Sequence, residues 1–85
     1  MNYPELREKY EKRAIKFAGE WKQEVSDHII DVMVSVMLTR DKVQEGGSFV
    51  QSIVENNLYQ SVTKADNDCI NHLKLITLAY HNCHI

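Results

Sequence analysis

Residues 28–38 read His-Ile-Ile-Asp-Val-Met-Val-Ser-Val-Met-Leu, and eight of these eleven side chains are apolar. Wound as an α-helix, they place hydrocarbon on nearly every side, and a helix that is apolar all round must be buried all round. The valines and isoleucines would also suit a strand. Nothing else in the chain offers a strand to pair with, so the reading is a central helix. The run is too short to cross a bilayer at about 1.5 Å per residue, and it contains Asp31.

On the N-terminal side, Leu6, Tyr10, Ala14, Phe17, Trp21 and Val25 recur in steps of three or four, the mark of one buried helix face. Pro4 suits the first turn of that helix. Ser26 and Asp27 are N-cap types, so the chain can restart there. A helix running unbroken to Thr39 would instead be roughly 50 Å long, and in so small a chain that length would imply a partner subunit.

On the C-terminal side, 40–47 is a connector broken by Gly46-Gly47, after which Ser48 is placed to cap a new helix. Phe49, Val50, Ile53 and Val54 give that helix its buried face. Asn56-Asn57 ends it, 58–64 forms a short further helix, and Ala65-Asp66 ends that in turn. A last helix is expected from about Asn67 to Asn82, with Ile70, Leu73, Ile76, Ala79 and Tyr80 on its inner stripe. The fold class is therefore all-α: one domain spanning 1–85, a compact bundle of four to five helices. A chain of 85 residues has a marginal core, so completion of the bundle by homo-oligomerisation is expected.

Composition limits the function classes. Ten basic residues stand against twelve acidic ones, for a net charge of −2. Phosphate neutralisation dominates the affinity of DNA-binding helices, and this chain lacks the basic excess that it needs. The densest basic stretch, 7–16, is interleaved with Glu8 and Glu11, a pattern of solvated i,i+4 pairs. A DNA-associated regulator is thus the weakest reading. No leader pattern opens the sequence, and two cysteines are too few for a disulfide framework, so a cytoplasmic location without membrane contact is expected.

The sharpest local feature is Glu45-Gly46-Gly47-Ser48-Phe49. Two glycines leading into a helix let the backbone approach a ligand, and first-turn amides with a helix dipole behind them favour an anion. Gly46, Gly47, Ser48 and Phe49 are the candidate anion-binding residues, with Tyr59 as a stacking side chain if it is exposed. The plainer reading makes Gly-Gly a connector, Ser48 a cap, and Phe49 and Tyr59 packing residues. A P-loop is excluded, because its Lys-Ser/Thr end is missing.

Cysteine and histidine gather late, at Cys69, His72, His81, Cys83 and His84. Cys69 and His72 share a helix face, but on one continuous helix their remaining partners lie at least about 13 Å away, beyond one zinc ion. The two thiols would be about 20 Å apart, too far for a disulfide. The expectation is Cys69 packed as a small hydrophobe, histidines exposed, no metal and no cofactor. For catalysis, Ser48, Ser52 and Ser61 lack an evident base, and Cys69 with His72 would lack a pocket and an oxyanion hole. An enzyme is not expected.

Residues 46–82 resemble a group of small phage and prophage accessory proteins. The shared pattern is a Gly-x-Phe start, an apolar helix ending in Asn-Asp-Leu or Asn-Asn-Leu, then Ala-Asp and a final helix with a Leu. It falls here on Gly47, Phe49, Val54, Asn57, Leu58, Ala65, Asp66 and Leu73. The chain departs from it at Asn57, where Asp is common, and lacks the group's Pro and Trp-Gly tail. In physical terms Asn57 and Asp66 are caps, while Phe49, Leu58 and Leu73 are expected to lock the turns onto the core. The resemblance implies a phage or prophage origin in a host cell, and a mode of action by stoichiometric binding. The expected function is a small effector that occupies a host or phage protein, in the manner of a counter-defence inhibitor. The alternative is a homo-oligomer that sequesters a small anionic ligand, such as a cyclic nucleotide immune messenger.

Overall fold

A computed structural model describes residues 2–84. They form six helices: α1 (Tyr3–Glu20), α2 (Asp27–Arg40), α3 (Ser48–Val54), α4 (Leu58–Lys64), α5 (Asn67–Asn71) and α6 (Leu73–Asn82). No strand occurs among the described residues. The all-α class stands, with one more helix than the four to five expected.

α2 is the axle, packed against α1, α3 and α6. Ile29, Met33, Val34, Val36, Met37 and Leu38 have no exposed surface, as an all-round apolar helix requires. Each such side chain contributes roughly 1.5–3 kcal/mol by leaving water. α1 supplies Tyr10, Ala14, Phe17 and Ala18, and α6 supplies Leu75, Ile76 and Ala79. The radius of gyration is 11.8 Å, close to the roughly 12 Å expected for a packed chain of this length.

The restart at Ser26 is real. Its hydroxyl accepts from the Ile29 N–H, and α1 stops at Glu20 rather than running on. The stop is a Schellman motif: Lys22 takes φ 55°, its N–H bonds the Gly19 carbonyl, and Gln23 N–H reaches back to Ala18. α2 and α3 end the same way, with Lys42 at φ 62° and Asn56 at φ 59°. None of these three turns uses the glycine that usually advertises them. Trp21, expected on the core stripe, lies past the end of α1 and is 46% exposed, its ring 6.2 Å from that of Phe17.

The expected single last helix is two. The Asp68 carbonyl is engaged by both the His72 N–H and the His72 ring, at 3.1 and 2.9 Å. The ring thus shares this carbonyl with the ladder bond, and His72 sits at φ −118° between α5 and α6. The straight-helix spacing between Cys69 and Cys83 therefore does not apply. Cys83 is fully buried, and Ile70, expected on the inner stripe, is exposed.

A polar clasp closes the bundle. The Arg40 guanidinium donates through Nη1 to the carbonyls of Ala79, Tyr80 and Cys83, at 3.2, 2.9 and 2.8 Å. Its other face makes a two-pronged pair with Asp41, which also accepts from the Tyr10 hydroxyl at 2.7 Å. One side chain at the end of α2 thus holds the C-terminus of α6 and, through Asp41, α1.

Candidate functional site

The start of α3 and the loop before it lie between two open, adjoining grooves. Gly47, Ser48 and Lys64 border both. One groove continues along Gln51, Glu55 and Gln60, and the other runs past Phe49 to His28, Asp66 and Cys69. Gly46, Gly47, Ser48 and Phe49 are thus brought together on concave surface. Tyr59 borders neither groove; it is 74% exposed on α4.

The two glycines do different work. A Cβ on Gly46 would stand 2.5 Å from Val50 Cγ1 and 2.9 Å from Thr39 Oγ1, so the loop can close onto α2 and α3 only without one. A Cβ on Gly47 would meet nothing within 4 Å. Ser48 is not the cap. Gly47 holds that position with extended backbone and has no side chain to bond, so the first-turn amides of α3 lack a side-chain cap. The second groove border brings in Lys64, a cation, while Glu55 places a carboxylate at the far side of the first groove.

α4 is backed mainly from one side. It packs chiefly on α3, where Ser61 Oγ lies 2.8 Å from the Asn57 carbonyl, to which it donates, and 3.0 Å from Ser52 Oγ. Small hydroxyls at this crossing let the two short helices lie close. Asn57 caps α4 by accepting from the Gln60 N–H. The outer face then carries Leu58, Tyr59 and Val62, which are 73%, 74% and 47% exposed. Leu58 therefore does not lock a turn onto the core; Phe49 and Leu73 do pack against it.

The late cysteines and histidines do not assemble as the linear spacing suggested. Cys69 faces His28 and Asp66 rather than His72. Asp66 caps α5, accepting from the Cys69 N–H at 2.8 Å, and its other oxygen accepts from His28 Nε2 at 2.9 Å. Those two bonds, the backbone one first, hold the Asp66 carboxyl below its ordinary range. Burial, then the neighbouring Asp66, pushes the Cys69 thiol up to about 11, and burial also raises Cys83. Both thiols are therefore protonated near neutral pH. No sequence signal linked His28 to Asp66, 38 residues on.

No protein-family model, curated protein or solved structure matches this chain. No helix among the described residues is long and apolar enough to cross a membrane.

Proposed function

We propose that this chain is a small effector of phage or prophage type, acting stoichiometrically by covering part of a host or phage protein, with α4 as its contact helix. The observation that carries the reading is the outward face of Leu58, Tyr59 and Val62 on a helix backed mainly by α3 alone. A leucine and a tyrosine each about three-quarters exposed and adjacent are poorly hydrated side chains, and tyrosine is enriched among residues that dominate binding energy. Gln60, Thr63 and Lys64 alternate with them and supply a polar rim. The phage or prophage origin rests on the sequence pattern from Gly47 to Leu73. Burial keeps both thiols protonated, and Ser52 and Ser61 are engaged with each other at the α3–α4 crossing, which favours binding over nucleophilic catalysis.

The test is quantitative capture from lysate of a susceptible host, with and without phage infection. Wild type and the Leu58→Asp/Tyr59→Asp variant are compared at matched folded content. The proposal expects one protein recovered in molar ratio with wild type and lost from the variant. Equal recovery with both, or recovery of none, refutes it.

The second reading is a homo-oligomeric sink for an anionic ligand such as a cyclic nucleotide. It draws support from the absence of a side-chain cap at Gly47 and from Lys64 on the same rim. Glu55 on that groove opposes it, and places it second. Native mass spectrometry with a nucleotide panel separates the two: a mass shift in a multimer favours the sink, and an unshifted spectrum removes it.

A further inference from the structure

His28, Asp66 and Cys69 present one imidazole nitrogen, one carboxylate oxygen and one thiol sulfur, all within 4.8 Å of one another. We infer that these three side chains form a binding site for a divalent transition metal, with zinc as the fitting ion. The inference is independent of both functional readings above.

The donor chemistry selects the metal class. Imidazole, thiolate and carboxylate together form the mixed set that zinc and cobalt accept in tetrahedral sites, whereas calcium and magnesium take oxygen alone. Zinc–ligand bonds of about 2.0–2.3 Å place tetrahedral donors roughly 3.3–3.8 Å apart. The His28–Asp66 pair, at 2.9 Å, must open slightly, and the widest separation, within 4.8 Å, must close by no more than about 1 Å. Both moves are small, because the half-exposed His28 ring can shift and Asp66, 57% exposed, need only turn Oδ2 while Oδ1 keeps its bond to the Cys69 N–H. Cys69 is the fixed member, buried on the first turn of α5.

Protons balance simply. Asp66 is already ionised. His28 binds as neutral imidazole with its proton on Nδ1, which frees Nε2 from its present bond to Asp66. Cys69 gives up its thiol proton to solvent as the Zn–S bond forms. Asp66 Oδ1 goes on capping α5 while Oδ2 turns to the metal, so the helix start is preserved.

Three protein donors leave one tetrahedral position, and the same groove holds Ser48, Phe49 and Lys64. That fourth position is therefore on the solvent-accessible side, available to water or to an acidic group brought by a partner. The structural consequence is also specific. α5 packs mainly on α6, and a metal shared by His28 and Cys69 would tie it to the first turn of α2.

The experiment uses the whole chain, stripped with chelator and titrated with Co²⁺ and then Zn²⁺. The expected result is one cobalt per chain with a thiolate-to-cobalt charge-transfer band and intense tetrahedral d–d bands, displaced by one equivalent of zinc, which raises the melting temperature. His28→Ala and Cys69→Ala should each abolish the charge-transfer band and the zinc-induced shift, whereas Cys83→Ala should keep both. Circular dichroism of the exposed-site variant His28→Ala checks that its fold persists. Cobalt bound without a sulfur band, binding that survives Cys69→Ala or His28→Ala, or binding abolished instead by His81→Ala/His84→Ala overturns the assignment. So does a chain that binds neither ion.

Discussion

Replacing Arg40 with Met keeps the apolar stem of the side chain and removes the guanidinium that clasps α6. Nη1 has two hydrogens to share among the Ala79, Tyr80 and Cys83 carbonyls, so two bonds are fully formed and the third is partial. Hydrogen bonds from a charged donor contribute about 1.5–3 kcal/mol each. The cation also faces the carbonyl end of α6, worth about 0.3–1 kcal/mol more. Asp41 is 33% exposed against 11% for Arg40, so the ion pair is partly screened and is left out of this sum. Methionine recovers part of the loss through its packing. The expected net cost is about 3 kcal/mol, or roughly 12–24 °C in Tm for a domain this small. Urea unfolding followed by far-ultraviolet circular dichroism should show a lower midpoint with unchanged slope. Adding Tyr10→Phe should cost less in the Arg40→Met background than in wild type, because Asp41 couples the two. A loss below about 1 kcal/mol, or strict additivity, would refute the clasp.

Four further outcomes are expected. Gly46→Ala should destabilise by about 1–3 kcal/mol through overpacking against Val50 and Thr39, while Gly47→Ala should be near neutral; paired thermal melts check the contrast. Lys42→Gly should stabilise by about 0.5–1 kcal/mol, since glycine adopts the left-handed cap at φ 62° without strain, and a higher urea midpoint would register it. Burial, then the bond to Asp41, raises Tyr10 from 10.0 to about 12. Its folded pKa is above the unfolded one, so this stability is intact below pH 10 and is lost as pH rises through about 12, an alkaline limb that Tyr10→Phe should flatten. Arg40, the largest cause, holds the Asp41 carboxyl low; that contribution is present above the unfolded carboxylate pKa and fades as pH falls through the folded value, so Arg40→Met should flatten the acid limb.

The parts of this fold that read directly from sequence are those set by local chemistry. The hydrocarbon surrounding α2 admits only a central position, and Asn57 and Asp66 bond the amides three residues on, as caps do. The short helices 58–64 and 48–54 follow from those caps and from Gly46-Gly47. What escaped was set by tertiary contact or by atypical residues. Lysine in the left-handed turns at 22 and 42 gives no stop signal, and no turn residue marks the break at His72, whose ring bonds the Asp68 carbonyl. Leu58 looks like a core residue in any pattern, because periodicity reports which face is apolar and not whether anything covers it. Of the candidate ligand residues, Gly46 to Phe49 do border the grooves, yet Tyr59 points elsewhere. The neighbours that give the region its chemistry, Lys64, His28 and Cys69, were brought there only by the packing of α3 on both α2 and α4 and by the His28–Asp66 bond.

The role proposed for α4 is to be the surface that meets a partner. Site-specific photo-crosslinking tests this most directly, with p-benzoylphenylalanine placed at Tyr59 on α4 and, as reference, at Lys12, an exposed position on α1. A single protein joined to the chain from position 59, with none from position 12, is the predicted result. Adducts in equal yield from both positions, or from position 12 alone, would contradict it.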